Sequence, residues 1–433
     1  MKTFKYLLLI PFFQAELSAQ EVLRLSDAIS MALQNNYNLQ IASGEMAIAR
    51  NNVTRGNAGM LPEVSLNAGM SFSGTDTKQE FVTGNEVDKK GAQSNAIQSG
   101  LQLNWTLFDG MKMFITYDKL KALDQLSILN TKMRIEQTVA EIINGYYEVV
   151  RQMQLLKAND QIQEVYTERL NIAKTKWELG SANKSEYLQA RLDLHAQRAL
   201  RFQLEAQLIQ SKQALNLLIV RDPELPFEVE DLIPVDTSLT ITELVQSSKA
   251  GNVSFQYYQV NQRIQEFSLR EQKAARYPNL QFNANYNFSR TDNQAGFLLY
   301  NQNLGWNTGL SATWNLFQGW NVRRNIQNSK ISLQNAELMT ELNASEVRTA
   351  IYRAYTGYQA ALERLRLESE NAALAEENVS LAMNRFRLGN TNSLELKYAQ
   401  QSLEDSLTRI VQTRYEAKLA ETELLRLKGE LIR

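Results

Sequence analysis

Leu101-Gln-Leu-Asn-Trp-Thr-Leu-Phe-Asp-Gly110 decides how this chain is read. Leu101, Leu103, Trp105 and Leu107 alternate with Gln102, Asn104 and Thr106. That period of two marks a strand with one apolar and one polar face. The end of the stretch is then written again: Trp105-Thr-Leu-Phe-Asp-Gly110 recurs as Trp314-Asn-Leu-Phe-Gln-Gly319, at 314 − 105 = 209. Downstream, Leu179-Gly180 followed by Glu186 recurs at the same offset as Leu388-Gly389 followed by Glu395. Upstream, Pro62-Glu-Val-Ser-Leu-Asn-Ala68 is matched by Pro278-Asn-Leu-Gln-Phe-Asn-Ala284, at 278 − 62 = 216. Several blocks agreeing in order and spacing make the chain a tandem duplication. The difference, 216 − 209 = 7, places seven extra residues between the blocks of the first copy, where an exposed loop is expected.

Each copy carries two alternating stretches. In the first, Val64, Leu66, Ala68, Met70 and Phe72 stand against Ser65, Asn67, Gly69, Ser71 and Ser73. In the second copy, Phe282, Ala284, Tyr286 and Phe288 stand against Asn283, Asn285, Asn287 and Ser289, and Leu310, Ala312, Trp314 and Leu316 against Ser311, Thr313 and Asn315. The polar sides are Asn, Gln, Ser, Thr and Gly with almost no charge. Strands of about ten residues with a wet, uncharged face and an apolar face suit an outer-membrane barrel. Leu66, Met70, Phe72, Leu103, Trp105, Phe282, Tyr286, Phe288, Leu310 and Trp314 are then the lipid-facing side chains. Four strands cannot close a barrel, since the smallest bacterial ones use about eight. Several chains must therefore share one wall.

Between the strands lie long helical runs. No proline occurs from Gly110 to Pro223, and Met111 to about Glu178 reads as one helix, on the order of 100 Å long. Val139, Ile142, Tyr146, Val149, Met153 and Leu156 step by three and four as a heptad seam, kept in the second copy at Ile351, Tyr355, Tyr358, Leu362 and Leu365. A second helix follows each Leu-Gly turn, with sevenfold spacing at Leu194, Leu208, Leu215 and at Leu403, Ile410, Leu424. Such stripes need a partner helix. Gly180 and Gly389 suit the left-handed residue that ends a helix, and Asn183, Ser185, Asn392 and Ser393 suit caps of the next. Pro62 and Pro278 fall where helix gives way to strand.

The organisation expected is a signal peptide at 1–19, a first repeat at 20–220, a linker at 221–236 and a second repeat at 237–433. The first repeat has strands at about 63–73 and 97–108 and helices at about 111–178 and 184–220. The second has strands at about 280–289 and 306–317 and helices at about 320–387 and 393–430. The signal rests on Lys2 and Lys5 ahead of the apolar run Tyr6–Phe13, with small residues up to Ala19. No later segment approaches the roughly 20 apolar residues of a spanning helix. Lys plus Arg (46) nearly balances Asp plus Glu (47), so nothing favours a nucleic acid. With no Cys and one His, His195, neither a metal centre nor a cofactor site is expected.

The paired Trp-x-Leu-Phe-x-Gly blocks, the paired Leu-Gly turns with a carboxylate six residues later, and the duplicated order of strands and helices resemble the outer membrane efflux protein family, typified by TolC. The resemblance covers essentially the whole mature chain. It implies a mainly α fold with a small β part, in which two repeats of β-hairpin plus long helix hairpin assemble as a homotrimer. Twelve strands would close one barrel in the outer membrane, continued by a periplasmic α-helical barrel. It implies a passive channel in a tripartite efflux or secretion system, partnered by a periplasmic adaptor (membrane fusion) protein and an inner-membrane transporter. By position, Leu179, Gly180, Ser181, Leu388, Gly389 and Asn390 fall at the adaptor-docking tip. Glu186 and Glu395 fall where the family usually has Asp near the periplasmic gate, with Tyr398 and Gln189 three residues further on, where a second carboxylate can occur. Three copies of Glu395 would form an acidic ring that filters cations.

Two other classes fit the sequence less well. A periplasmic or surface coiled-coil protein of structural or adhesive role accounts for the heptads but not for two amphipathic hairpins with wet, uncharged faces. An enzyme finds no support: no phosphate-binding Gly loop, Cys/His cluster or Ser/His/Asp spacing is present.

Overall fold

The computed structural model describes residues 22–432, so the segment read as a signal peptide lies outside the described residues. In chain order the elements are α1 (Leu25–Asn35), α2 (Tyr37–Asn51), β1 (Glu63–Glu80), β2 (Glu86–Phe108), α3 (Lys112–Glu178), α4 (Lys184–Leu218), α5 (Ile241–Gly251), α6 (Val253–Ala274), β3 (Asn279–Asn293), β4 (Tyr300–Thr313), α7 (Asn321–Arg387) and α8 (Ser393–Lys428). Backbone contacts divide them into two compact units. One holds the described part of Met1–Gln40, with Met133–Asn252 and Val347–Arg433; the other holds Ile41–Lys132 and Val253–Glu346.

The second unit contains the sheet, an antiparallel meander in the order β1-β2-β3-β4. Its register decides what the alternation achieves. Leu66 pairs with Leu101, Leu101 with Tyr286 and Tyr286 with Trp306. The next such row is Val64, Leu103, Ala284 and Thr308. Offset by one residue are the rows Asn67, Gly100, Asn287, Gly305 and Ser65, Gln102, Asn285, Asn307. Four separate alternations therefore add up to one apolar and one polar face, and a slip of one residue in any strand would mix them. Side chains staple the polar face: the Asn285 amide donates to Asn307 Oδ1 at 2.9 Å and that of Asn283 to Ser311 Oγ at 3.3 Å.

The strands run further than their patterns suggest. The row of Met70 and Ile97 already carries Arg290 and Gln302 on the apolar side, and the next carries Asn95 and Asp292, with Arg290 Nε 3.0 Å from Asp292 Oδ2. The apolar band from Leu280 to Phe288 thus spans roughly 27 Å along the strand, or about 20 Å of height at a barrel tilt. The seven extra residues of the first copy are not a loop. They lengthen the β1–β2 ladder up to the Glu80–Glu86 pair, past a bulge between Thr75 and Thr77. A fourth strand at 306–317 is also corrected: β4 begins at Tyr300 and ends at Thr313, so Trp314 and Leu316 lie past it. Leu107 falls at a second bulge, and Phe108 instead pairs with Leu280.

The duplication holds at the level of single bonds. Shifting β1 by 216 and β2 by 209 converts the Leu66–Leu101 pair into Phe282–Leu310, and Val64–Leu103 into Leu280–Ala312, both observed. Trp105 Nε1 donates to Met60 O at 3.0 Å, and Trp314 Nε1 to Arg276 O at 3.0 Å. Each indole thus ties the end of the second strand to the chain just ahead of the first. Gly110 and Met111, like Gly319 and Trp320, all take positive φ to turn from sheet into helix.

In the first unit the heptad seam is buried where it meets partners. Val139, Ile142, Tyr146 and Val149 pack with Leu215, Ile219 and α1 residues Ala28 and Ala32. Ile351 and Tyr358 pack with Leu244, Leu424 and Leu427. Residues 221–236 do more than link: Phe227, Val229 and Ile233 join the first of these cores. Lys212 Nζ donates to Phe227 O at 2.7 Å. Helices α1, α2, α5 and α6 were not foreseen as separate elements. They too are repeats, for Asn36 donates to Leu218 O at 3.3 Å and Asn252 to Leu427 O at 3.1 Å, the same bond at offsets 216 and 209. Among the described residues no helix is long and apolar enough to cross a membrane.

Candidate functional site: the sheet wall and the helix-hairpin tips

The wall is built from the apolar face of the sheet. Leu66, Met70, Phe72, Trp105, Tyr286 and Leu310 are exposed on it, as are Leu101 and, outside the alternating stretches read from the sequence, Ile97, Leu304 and Trp306. Leu103, Phe282 and Phe288 share this face and are half-buried. Trp314 is exposed but sits beyond the strand end, held by its bond to Arg276 O. An apolar surface of this extent facing water is unusual for a monomeric soluble protein. Both edge strands, β1 and β4, keep their outer backbone groups unpaired within the sheet. Long bare edges invite pairing with another chain.

The tips lie in the first unit. Each long helix ends in a left-handed glycine, with φ of 71° at Gly180 and 79° at Gly389. Gly180 N donates to Trp177 O at 3.0 Å and Ser181 N reaches back to Lys176 O at 2.8 Å. In the second tip Gly389 N donates to Phe386 O at 3.2 Å and Asn390 N to Arg385 O at 2.9 Å. These bonds satisfy the last carbonyls of the helix and leave Leu179 and Leu388 projecting into solvent. A β-carbon on either glycine would meet nothing within 4 Å, so backbone geometry rather than crowding selects glycine there.

The two tips differ in charge. Asn392 caps α8 by accepting from Leu394 N and Glu395 N, whereas Asn183 begins α4 without a side-chain cap bond. Glu395 Oε1 lies 2.8 Å from Arg385 Nη1, and Thr391 donates to its other oxygen. The carboxylate expected to give an acidic ring is therefore met by a cation on its own hairpin. Tyr398 is exposed one turn further on, beside Asn378 and Ser402 in a shallow groove between α7 and α8. Glu186 is half-buried at the start of α4, and its amide donates to Asn183 O. Near it Trp177 stacks on Tyr187, centroids 5.2 Å apart at 6°.

Sequence reasoning missed a buried polar cluster deeper in the same unit. Arg169, 1% exposed, places Nη1 3.0 Å from Asp193 Oδ2 and 3.1 Å from Gln400 Oε1. Lys397 Nζ lies 3.1 Å from Asp193 Oδ1, and the Gln189 amide donates to the same oxygen at 2.8 Å. Three helices, α3, α4 and α8, meet on one carboxylate. Burial, with Glu404 and Asp193 nearby, pushes the Tyr166 hydroxyl in this core up to about 12. That phenol therefore stays a neutral hydrogen-bonding group at any physiological pH.

A four-stranded meander with one apolar face, and long helix hairpins that close on exposed Leu-Gly turns, are the parts of a TolC-like channel. The chain belongs to the outer membrane efflux protein family, whose model matches residues 28–219 and 244–430. Its fold is that of solved outer-membrane channels. It is similar to VceC from Vibrio cholerae, at 16% identity over 94% of this chain and 96% of that one, with a TM-score of 0.79. It is also similar to OprN, at 18% identity over 94% and 89% with a TM-score of 0.78, and to CmeC from Campylobacter jejuni, at 17% identity over 94% and 85% with a TM-score of 0.77. No curated protein sequence matches it.

Proposed function

We propose that this chain is the outer-membrane component of a tripartite efflux or secretion system, a passive homotrimeric duct driven by an inner-membrane transporter through a periplasmic adaptor protein. One observation carries the reading: a four-stranded sheet with an apolar face, a polar uncharged face and two bare edges. Within a bilayer every backbone group must be paired, so such a sheet is admissible only as part of a closed barrel. Two chains would supply eight strands, a barrel whose interior side chains fill it. Three supply twelve, wide enough for a wet lumen lined by the Asn, Gln and Ser rows. The ten apolar residues named above then face lipid, and the helices extend into the periplasm as an α-barrel.

The test is fractionation of cells expressing the full chain. We expect an outer-membrane pellet that yields a detergent-resistant trimer; a monomer in the soluble periplasmic fraction would refute the duct.

The exposed Leu179, Gly180, Ser181, Leu388, Gly389 and Asn390 suit docking of the adaptor, since Leu-Gly turns offer a small apolar knob on an otherwise polar end. Replacing both Gly180 and Gly389 with valine forces a β-branched residue into the left-handed region, at about 1–2 kcal/mol each. Because nothing crowds either position, trimers should persist while export of a pump substrate falls at least tenfold. Wild-type export from the double variant would remove the tips from the docking site. Glu186, Glu395 and Tyr398 are assigned to the periplasmic gate, with Glu395 acting through its Arg385 pair rather than as a bare charge.

A further inference from the structure

The two copies agree in backbone and apolar pattern but differ in charge at the foot of the sheet, where helix and strand meet. Residues 267–279 and 314–332 of the second copy carry six cations, Arg270, Lys273, Arg276, Arg323, Arg324 and Lys330, and one acid, Glu271, for a net charge of 6 − 1 = +5. The equivalent first-copy segments are 51–63, at 267 − 216 = 51, and 105–123, at 314 − 209 = 105. They carry four cations and three acids, a net charge of 4 − 3 = +1. Position by position, the six cations answer to Thr54, Asn57, Met60, Phe114, Ile115 and Lys121. Of these only Lys121 is charged, and it lies 3.2 Å from Asp118. One copy thus builds the same turn from helix to strand without the cations, so the fold does not demand them.

All six are exposed, and none forms an ion pair among the described residues. Glu271, the acid between them, is already held by α3: Lys119 Nζ lies 2.8 Å away and Thr116 donates to it at 2.7 Å. The two basic segments form one surface. Trp314 Nε1 bonds to Arg276 O where they meet the sheet. Further down, Thr340 donates to Tyr258 O at 3.4 Å and Asn343 to Ser254 Oγ at 3.1 Å, so α6 and α7 run antiparallel. Arg323 then stands about level with Arg276, and Lys330 with Arg270. Between the cations and the apolar wall lies an exposed aromatic lip of Tyr277, Trp314, Phe317 and Trp320. Trp320 meets Phe317 edge-on at 5.7 Å, and the Arg323 guanidinium lies 5.9 Å from the Trp320 ring.

An apolar wall, an aromatic lip and then unpaired cations reproduce the order of a membrane boundary: hydrocarbon, interface, charged headgroups. We infer that this foot is a docking surface for anionic phospholipid headgroups of the periplasmic leaflet, one site per chain. The inference rests on the proposal that the sheet lies in the outer membrane with its helices in the periplasm. At 1.5 Å per helical residue, Arg323 and Arg324 sit about 5 Å below Trp320, and Lys273 about 6 Å below Tyr277. The headgroup layer is roughly 5–8 Å deep on each side, so these three and Arg276 reach phosphates directly. Arg270 and Lys330 stand about 10 and 15 Å down and add their field across roughly one screening length. Because the first copy lacks the patch, binding is confined to one sector of each chain and saturates.

The test is native mass spectrometry of the full-chain trimer in detergent, with phosphatidylglycerol or phosphatidylethanolamine of identical tails added. We expect three phosphatidylglycerols retained per trimer, about tenfold or more tighter than phosphatidylethanolamine. The combined variant Lys273→Gln, Arg276→Gln, Arg323→Gln, Arg324→Gln should keep the trimer and lose the preference, since Trp314 is bonded by the backbone of Arg276 and not its side chain. Arg290→Gln, at the far end of the sheet, should keep both. A second arm needs no variant: raising ammonium acetate from about 0.1 M to about 1 M shortens screening from about 10 Å to about 3 Å and should abolish the preference. Equal retention of the two lipids by the wild type, a preference that survives in the combined variant, or one indifferent to salt would overturn the site. Tighter retention of lipid A than of phosphatidylglycerol would overturn its assignment to the periplasmic leaflet. Trimers without lipid preference would leave the duct standing; absence of any outer-membrane trimer would remove the duct itself.

Discussion

Gly429→Val is expected to lower the melting temperature of the proposed trimer by about 10 °C and sharply reduce its yield in the outer membrane. Gly429 ends α8 in the left-handed region, its amide donating to Leu425 O and Arg426 O at 3.1 Å. A β-carbon there would lie 2.2 Å from Gly251 O and 2.5 Å from Gly251 C. The reciprocal carbon on Gly251 would lie 2.5 Å from Lys428 O. Two backbones touch, and no rotamer change relieves the overlap. The substitution must push the end of α5 off α8, opening the core of Leu244, Ile351, Tyr358, Leu424 and Leu427. A cost of roughly 3–5 kcal/mol follows, the range of severe core disruption. Backbone conformation alone is not the reason. The repeat-equivalent residue, at 429 − 209 = 220, is Val220, which holds φ of 58° with a branched side chain. Its neighbour's counterpart, Asn35 in place of Gly251, likewise carries a side chain, so the first copy keeps the turn without the close approach. Because the clash begins at the β-carbon, Gly429→Ala should be nearly as damaging, whereas Gly180→Ala at an uncrowded left-handed turn should cost only about 1 kcal/mol. Thermal melts of purified trimers decide this; a Gly429→Ala protein melting within 2 °C of wild type would show that the backbones part easily.

What the sequence displayed of this fold follows from which physics is periodic. The sheet was legible because a strand whose two faces meet different surroundings must alternate, and the alternation of Leu101 to Thr106 repeats at Leu310 to Asn315. The long helices were legible because a stripe over many turns leaves a heptad. Helices α1, α2, α5 and α6 were not: at 11, 15, 11 and 22 residues they are much shorter than the helices they accompany, so their apolar stripes are brief. Their duplication was hidden because side chains changed while backbone roles stayed. Among the described residues Asn36 and Asn252 keep the same bond to the ends of α4 and α8, and Thr131 and Thr340 keep the same bond to Ala42 O and Tyr258 O. The extra seven residues of the first hairpin were misplaced for a related reason. Past Phe72 the strand carries Gly74, Asp76, Lys78 and Glu80, polar on both faces because both sides meet water there, and alternation disappears although the ladder continues. The buried cluster around Arg169 escaped because the seam of α3 changes partner. Through Val149 it faces α1, α4 and residues 227–233. Beyond Leu156 the buried positions are Asn159, Ile162, Tyr166, Arg169 and Ala173, one residue earlier than the heptad continues, where the core is shared with α7 and α8. Polar residues on a buried stripe were the available signal, visible only once the new phase is known. At the tips the repeated Leu-Gly block marked the turn correctly, but nothing in it revealed that Arg385 reaches Glu395.

Asp193→Ala should loosen the helix pairs above the tips without breaking the trimer in the membrane. The carboxylate is the common acceptor for Arg169 from α3, Lys397 from α8 and Gln189 from its own helix α4. Its removal leaves the Arg169 guanidinium almost wholly buried, with Gln400 as its remaining close partner, and Gln400 is itself held by Val165 O at 3.3 Å. Breaking one side of a buried ion pair costs roughly 3–5 kcal/mol, far more than the net value of the intact pair, because the stranded charge keeps its desolvation penalty. The exposed Arg385–Glu395 pair at the tip is worth at most about 1 kcal/mol by comparison, being open to solvent and salt. The burdened Arg169 can recover water only if α3 and α8 separate, so the strain resolves as motion of the hairpins rather than as a local void. In the proposed duct, gated by those hairpins, separation means leakage: larger single-channel conductance in planar bilayers and greater uptake of bulky antibiotics by cells. The triple variant Arg169→Met, Asp193→Leu, Lys397→Met removes every charge at once and should restore wild-type conductance, since apolar replacement of a whole buried cluster is often neutral or stabilising. Wild-type conductance in Asp193→Ala would show that the three helices are held by their apolar seams alone. Leakage that persists in the triple variant would mean the charges specify the closed arrangement and do not merely satisfy one another.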